Sequence, residues 1–460
     1  MRVIVVGVGR VGAAIARFLA RDGHVVTVVD QDPDIAEQLA ADLDVRSVVG
    51  LGSLPDVLDR AGGREADAII ATTHNDEVNI VACEVAGGLF ETQIKIARIR
   101  NASYLNPAFS DLFSRQHIAI DAVFSPEVDI ARALARHQET PGPSFIAPFC
   151  AGAARAFGLD VGPTSPLVGA EAGGVFQLFP GLNAKIVAVE RSEKIFAIAP
   201  GDVIRSGDRV YCVSAAKDVE RILTAFSQRS LRNRRILIDG AGRVGMELAR
   251  LLEADPNVTI TMIERNAQRA QAAAEGLRKT IVLNGDATDA AILAQADVER
   301  TDIVFAVTDN DHINIFAGFH AKRLGAKMAV ILAASGLAEP AKEALGLDII
   351  VSTQDVMVSR LSPHFRKGRI LAVRQIGPEP GGEIIEAVIS PTSHLADKPM
   401  RDDALPDGVV IGLVQRGATI FAPQNGERFA AGDHVLLFAE QPKIKAVERM
   451  FRVSLEYLGG

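Results

Sequence analysis

Three glycines near the start of the chain have the types and spacing that favour nucleotide binding. Gly7-x-Gly9-x-x-Gly12 follows an apolar run and precedes a helical pattern, and Asp30 ends the next apolar run. In such a turn the first glycine bends the backbone, the second lets it approach a diphosphate, and the third lets helix and strand pack closely. The carboxylate accepts hydrogen bonds from ribose hydroxyls, and the N–H groups that open the helix attract phosphate. The candidate cofactor-binding residues are Gly7, Val8, Gly9, Arg10, Val11, Gly12 and Asp30.

The same pattern recurs in the second half of the chain. Gly7 recurs as Gly240, and Asp30 recurs as Glu264. The segment "TTHNDEVN" at 72–79 recurs as "VTDNDHIN" at 307–314. Because the offset between matching residues is nearly constant across these landmarks, we interpret the sequence as a duplication. The candidate residues of the second copy are Gly240, Ala241, Gly242, Arg243, Val244, Gly245 and Glu264.

Further polar residues follow the fourth and fifth apolar runs, which we predict to end at the same sheet edge as the glycines. In "TTHNDEVN" the side chains of Asn75 and Asn79 are as well suited to capping the next helix as to binding a ligand. The structural alternative for the glycines is that they serve helix–strand packing alone. The further candidate contacts are Thr73, His74 and Arg98 in the first copy and Thr308 and Asp309 in the second.

The two copies differ in the charges at this edge. Arg98 ends the fifth run, "KIAR", and its cation could reach phosphate there, whereas the matching stretch "MAVILAAS" has no cation. The third run is followed by Gly50-Leu51 in the first copy but by Gly285-Asp286 in the second. We therefore expect the two sites to differ in ligand preference.

Apolar runs alternate with helical patterns in both copies, which predicts parallel sheets covered on both faces. Each copy is followed by a region with a different pattern, which predicts short strands with turns such as Ser206-Gly207-Asp208, and then a helix. The predicted fold class is α/β, with two Rossmann-like doubly wound parallel-sheet domains, each followed by a small α+β domain. We predict the four domains at 1–124, 144–228, 232–352 and 368–453, with a polar surface connector at 228–235.

Composition narrows the class of protein. The 460 residues carry 49 Lys and Arg against 57 Asp and Glu, and Trp is absent, which disfavours nucleic-acid binding. Three scattered cysteines favour a reducing cytoplasm over a disulfide framework. We find no apolar run long enough to span a bilayer and, since the first strand begins near Val3, expect no signal peptide.

Catalysis is not indicated by the side chains. A dehydrogenase needs a proton donor or acceptor beside the nicotinamide, but the nine histidines are scattered, and His74 is matched by Asp309 in the second copy. No group of His, Cys and carboxylate residues has metal-ligand spacing. We therefore predict no catalytic residue and no metal site. An NAD-dependent oxidoreductase stays open as an alternative.

Taken together, the chain resembles the Trk-type RCK/KTN family over essentially its whole length. The resemblance rests on "GVGRVG", "ATTHNDEVNIVAC", "KIARIRN" and "IAPGDVIRSGDRVYC", and on the tandem arrangement itself. It implies that the large (RCK N-terminal) domains bind NAD(H) and/or ATP/ADP, with contacts at the candidate residues named above. It implies that the small (RCK C-terminal) domains dimerise or bind small regulators.

The same resemblance implies a regulatory role without catalysis. The expected partner is an integral-membrane K⁺-translocating subunit of the TrkH/TrkG type, beneath which the chains form a homo-oligomeric ring, as a tetramer or dimer. The protein is then cytoplasmic and peripheral at the inner face of the membrane, with no direct bilayer insertion. A ligand-sensing subunit of a different membrane transporter is the second alternative.

Overall fold

A computed structural model gives the fold of the chain. It describes residues 1–109, 111–114, 116–139, 143–176, 181–226, 234–333, 344–366, 369–377, 381–391, 393, 395–396, 398–400 and 405–451. The chain forms two compact units, one of Met1–Ala131 with Ser352–His364 and one of Arg132–Val351 with Phe365–Gly460. Most of the connector predicted at 228–235 lies outside the described residues. Within the described part of the chain, no helix is long and apolar enough to cross a membrane.

The first domain is a doubly wound parallel sheet. Its elements are β1 (Arg2–Val6), α1 (Arg10–Arg21), β2 (Val25–Asp30), α2 (Pro33–Leu43), β3 (Arg46–Val49), α3 (Pro55–Arg60), β4 (Ala68–Ala71), α4 (Asp76–Phe90), β5 (Ile94–Arg98), β6 (Ala122–Phe124) and α5 (Pro126–Glu139). The strand order is β3-β2-β1-β4-β5-β6, and every neighbouring pair is parallel. The order reverses between β1 and β4, and ligands bind at such a switch point in open α/β sheets.

A small antiparallel domain follows. Its elements are β7 (Phe145–Phe149), β8 (Ala154–Asp160), β9 (Ala184–Arg191), β10 (Lys194–Ala197), β11 (Arg209–Ala215) and α6 (Val219–Ala225). The strand order is β10-β9-β11-β8-β7, and all four pairs are antiparallel. Gly207, in the predicted turn, has φ +88°, a conformation that favours glycine.

Both architectures recur. The second copy has β12 (Arg234–Asp239), α7 (Arg243–Leu252), β13 (Val258–Glu264), α8 (Ala267–Gly276), β14 (Ile281–Asn284), α9 (Ala290–Gln295), β15 (Ile303–Ala306), α10 (Asp311–Arg323), β16 (Met328–Ala333), β17 (Ile349–Ser352), α11 (Thr353–Phe365), β18 (Ile370–Ile376), β19 (Gly382–Val388), β20 (Val409–Arg416), β21 (Thr419–Phe421), β22 (His434–Glu440) and α12 (Ile444–Met450). The strand orders β14-β13-β12-β15-β16-β17 and β18-β19-β22-β20-β21 repeat those of the first copy. The predicted fold class is confirmed.

The sheets of the two small domains pack against each other inside the second unit. Their shared apolar cluster includes Val187 and Val213 from one sheet and Leu436 from the other. At Gly412 a Cβ atom would lie 2.3 Å from Val213 Cγ2, so only glycine allows this close approach without a shift.

Helix α11 belongs to the first unit although it follows the second large sheet in sequence. In that unit its Arg360 Nη2 donates a hydrogen bond to Val123 O of β6, at 3.4 Å. The first large domain is therefore completed by a segment from the second half of the chain.

Candidate nucleotide-binding sites

The glycine turn of residues 7–12, hereafter the first cradle, connects β1 to α1. Gly7 has φ +82°, and a Cβ there would lie 2.8 Å from Thr73 N. A Cβ on Gly12 would lie 1.9 Å from Gly7 O, inside the van der Waals distance. In contrast, no atom lies within 4 Å of a Cβ built on Gly9. Packing explains the first and third glycines, whereas the open space at Gly9 leaves room for a diphosphate.

The turn of residues 240–245, the second cradle, repeats this geometry. Gly240 has φ +108° and approaches Thr308, and a Cβ on Gly245 would again lie 1.9 Å from the first glycine's carbonyl oxygen. The surroundings of Gly242 are open to 4 Å, like those of Gly9. The packing alternative therefore accounts for two of the three glycines in each cradle and leaves the middle one unexplained.

Each of the two predicted ribose-binding carboxylates accepts a hydrogen bond from the backbone of its own cradle. Asp30 Oδ2 accepts a hydrogen bond from Val8 N at 2.7 Å. Glu264 Oε2 accepts one from Ala241 N at 3.0 Å. Each carboxylate oxygen can accept more than one hydrogen bond, so these contacts leave acceptor capacity for ribose hydroxyls. The carboxylates thus hold the cradle backbone in place, and Glu264, which is 5% exposed, also accepts a hydrogen bond from Asn266 N at 2.7 Å through Oε1.

An asparagine in each copy joins the fourth and fifth strand ends. Asn79 Oδ1 accepts hydrogen bonds from Thr73 N at 2.9 Å and Thr73 Oγ1 at 2.7 Å, and its Nδ2 donates to Arg98 O at 2.9 Å. Asn314 makes the same three contacts with Thr308 and Leu332 O, at 2.8, 2.6 and 2.8 Å. Because both asparagines are fully buried, these hydrogen bonds hold the sheet edge in a fixed shape.

The residues that follow β4 in the first copy and β15 in the second differ in exposure. Thr73 and Thr308 are half-buried beside the first glycine of each cradle, whereas His74 and Asp309 are exposed. Asn75 Oδ1 accepts a hydrogen bond from Val78 N at 2.9 Å, so it caps α4, as the capping alternative proposes. Arg10, Arg243, Val11 and Val244 open the helices that follow the two cradles, the arginines exposed and the valines half-buried.

Arg98 is held by an ion pair at the start of α5. Its Nη2 donates to Glu127 Oε1 at 2.9 Å, and its side chain is 10% exposed. Arg100 Nε lies 3.4 Å from the same carboxylate oxygen. Contact between Arg98 and a ligand stays a prediction, because the guanidinium already has a carboxylate partner. Leu332 takes the position of Arg98 in the second copy, and its carbonyl oxygen accepts the hydrogen bond from Asn314.

Asp239 belongs to the second site but does not follow from the motif. It is the last residue of β12, directly before Gly240, and it is 6% exposed. Burial, together with the negative charges of Asp286 and Glu264, raises the pKa of its carboxyl to about 7. The signal was present in the sequence, since "ILIDG" places a carboxylate where "VIVVG" has Val6.

Asp286 stays ionised at the same edge. Its Oδ1 accepts hydrogen bonds from Thr288 Oγ1 at 2.6 Å and Thr288 N at 2.9 Å, and these lower the pKa of its carboxyl. No cluster of three or more His, Cys, Asp or Glu side chains suited to a metal ion occurs within the described residues. Asp239 and Glu264 are the last residues of β12 and β13, and Asp286 follows β14; the corresponding residues of the first copy are Val6, Asp30 and Leu51.

Two doubly wound domains with open glycine cradles, each followed by a five-stranded antiparallel domain, define a tandem RCK-like fold. Solved structures share this fold: the GsuK RCK domain aligns with a TM-score of 0.62 at 19% identity, covering 98% of this chain and 94% of that one. A structure of the GsuK channel bound to NAD aligns with the same TM-score at 20% identity, covering 98% and 78%.

Sequence comparison narrows the family. The TrkA-N domain matches residues 3–126 and 236–353, and the TrkA-C domain matches residues 384–452. The Trk system potassium uptake protein TrkA of Azorhizobium caulinodans is 39% identical over 99% of this chain and 100% of its own length. That of Halomonas elongata is 34% identical, over 99% and 100%. The chain belongs to the TrkA family.

Proposed function

We propose that this protein is the nucleotide-sensing, regulatory subunit that gates K⁺ transport by the membrane subunit of a Trk-type uptake system. The observation that carries the proposal is the open space at Gly9 and Gly242 in two otherwise tightly packed cradles. The relatives named Trk system potassium uptake protein TrkA, matched over their full length, support the transport role.

The proposed ligands are NAD(H) and/or ATP/ADP. Backbone N–H groups of Gly9–Val11 would hold the phosphates at the start of α1, and Asp30 would accept from the ribose hydroxyls. Thr73, His74 and Arg98 would line the rest of this site. In the second copy Gly242–Val244 and Glu264 take the corresponding roles, with Thr308 and Asp309 at the tip.

Regulation would operate by a shift between two arrangements of the assembled chains. A nucleotide changes such an equilibrium only if it binds the two arrangements with different affinity. The chains would form a homo-oligomer, as a tetramer or dimer, at the cytoplasmic face of a TrkH/TrkG-like partner. No catalytic step is part of this proposal, so turnover of the nicotinamide with any substrate would contradict it.

The test places a carboxylate in each open position separately. Gly9→Asp puts a negative charge where the phosphates would lie, and Gly242→Asp does the same in the second cradle. Each full-length variant is titrated with NAD⁺, NADH, ADP and ATP by calorimetry, and K⁺ flux is measured with the membrane subunit present. We expect each variant to lose more than about 100-fold in affinity at its own cradle, with altered nucleotide control of flux.

Gly162→Asp is the matched control, because Gly162 is also exposed with no atom within 4 Å of a Cβ. This variant should bind nucleotides and regulate flux like the parent protein. The proposal is wrong if the parent protein binds none of the four nucleotides, or if flux control is identical in all three variants.

A further inference from the structure

The two cradles differ most sharply at the residue before their first glycine. In the first cradle this residue is Val6, an apolar side chain that is 2% exposed; in the second it is Asp239, which is 6% exposed. Within the described part of the chain, Asp239 Oδ2 has no hydrogen-bond partner. A buried carboxylate oxygen without a partner is costly, and more so when the group is charged.

The charged groups around Asp239 are mainly acidic. Glu264 at the end of β13 and Asp286 after β14 both act on it. The nearby cations are engaged with those two neighbours: Arg269 Nη2 of α8 lies 3.2 Å from Glu264 Oε1, and Arg265 Nη1 lies 4.0 Å from Asp286 Oδ2. Arg243 of α7 and Asp309 after β15 are further charged residues of this edge, and both are exposed, whereas Asp311 at the start of α10 is half-buried.

We propose that the second cradle binds its nucleotide with Asp239 protonated, so that binding is linked to the uptake of up to one proton from solvent by this carboxyl. The protonated carboxyl removes one negative charge from beside the diphosphate. Its O–H also gives Oδ2 the means to donate a hydrogen bond to a phosphate or ribose oxygen. This inference rests on the proposed function, because it concerns the ligand of the same site.

The consequence is a difference in pH response between the cradles. With the pKa of Asp239 near 7 in the free protein, a site that binds only when this carboxyl is protonated loses affinity as the pH rises above neutrality. The first cradle has Val6 and Leu51 in place of Asp239 and Asp286 and should lack this response. The protein would then respond to a nucleotide at one cradle and to a nucleotide together with a proton at the other.

The experiment uses the full chain with Gly9→Asp, so that binding reports on the second cradle. NAD⁺ is the probe, because its diphosphate has no monoester group that titrates near pH 6, as the phosphates of ADP and ATP do. Calorimetry at pH 6 and pH 8 should give a Kd about tenfold higher at pH 8. Repeating the pH 8 titration in buffers of different ionisation enthalpy should show uptake approaching one proton per NAD⁺.

Asp239→Asn, added to this protein, supplies a neutral side chain that still donates. It should bind NAD⁺ about as tightly at pH 8 as at pH 6 and should take up no proton. Asp286→Asn, the matched control on the neighbouring strand end, should keep the pH dependence. An unchanged pH slope in the Asp239→Asn protein, or no proton uptake in its parent, would overturn the inference.

The protein with Gly242→Asp separates this inference from the proposed function. Its first cradle should bind NAD⁺ with nearly the same Kd at pH 6 and pH 8. If this protein binds NAD⁺ but the Gly9→Asp protein binds none even at pH 6, the inference about Asp239 is wrong and the proposed function stands. If neither protein binds any nucleotide and the parent also fails, both are wrong.

Discussion

The two cradles share one backbone design and differ in their charges. Each has a first glycine with positive φ, an open middle glycine and a third glycine in contact with the first. Around this common frame the first edge has Asp30 and Arg98, whereas the second has Glu264, Asp239 and Asp286. The difference teaches that backbone packing fixes the shape of each cradle, while the residues at the strand ends set the charge at its edge.

The largest expected effect concerns the close contact between the third and first glycines, and it tests whether both cradles depend on this contact equally. Gly12→Ala and Gly245→Ala each place a Cβ 1.9 Å from a backbone oxygen. The backbone has to shift, so we expect each to lower the free energy of unfolding by about 3 kcal/mol. Urea unfolding of the full chain measures this loss.

Gly9→Ala and Gly242→Ala are the controls for that measurement, since their surroundings are open, and they should stay within about 0.5 kcal/mol of the parent protein. A loss confined to one of the two third-glycine variants would show that the second frame does not depend on its close contact as the first does.

The next effect concerns Asp239 and stability. Its pKa is about 7 in the folded protein and close to the ordinary value of about 4 when unfolded. Between these values the folded state holds the extra proton, so stability decreases as the pH rises through this window. Asp239→Asn removes this pH dependence. The free energy of unfolding of the variant, relative to that of the parent protein, should therefore rise by about 2 kcal/mol between pH 5.5 and pH 8.

Urea unfolding at the two pH values measures that advantage. Val6→Asp makes the reciprocal change in the first copy and should destabilise the protein more at pH 8 than at pH 5.5. If the difference in free energy of unfolding between the Asp239→Asn protein and its parent is the same at both pH values, the raised pKa of Asp239 is not the cause of the pH dependence.

The smallest effect concerns Arg98. Removing a cation that reaches phosphate should weaken nucleotide binding at the first cradle about tenfold and leave the second unchanged. Arg98→Ala in the Gly242→Asp protein, titrated with ADP, measures the first cradle alone.

Glu127→Gln sharpens the same measurement, because it neutralises the carboxylate that pairs with Arg98. It should raise ADP affinity if the guanidinium can turn to the ligand. Equal affinity in the parent, the Arg98→Ala and the Glu127→Gln proteins would assign Arg98 to the start of α5 and not to the nucleotide.

Much of the frame was predictable from sequence because it depends on local spacing. The glycine pattern, the carboxylates that end β2 and β13, and the cap at Asn75 all act within a few residues or one strand–helix–strand unit. The nearly constant offset between the copies also predicted a duplicated architecture, and in the structure the two copies share their strand orders. The bounds of the four domains and the ligand contacts stay predictions.

The features of the site and of the packing that were not predicted depend on tertiary contacts, which cannot be inferred from spacing along the sequence. The sequence shows Arg98 only as a cation at a strand end. Its partner Glu127 lies 29 residues later, at the start of the helix that follows β6, and the two meet only in the folded chain. Asp239 reads as an ordinary strand end, and only the neighbouring strands show that its carboxylate is buried. The packing of the two small sheets, with Gly412 at Val213, likewise follows from tertiary contact.

The position of α11 has a practical consequence. The sequence divides into two halves near residue 230, but the first compact unit includes Ser352–His364 from the second half. A chain cut at the junction of the repeats would therefore lose a helix from the half it was meant to isolate. For the same reason, neither copy of the duplicated sequence encodes the whole of the first compact unit.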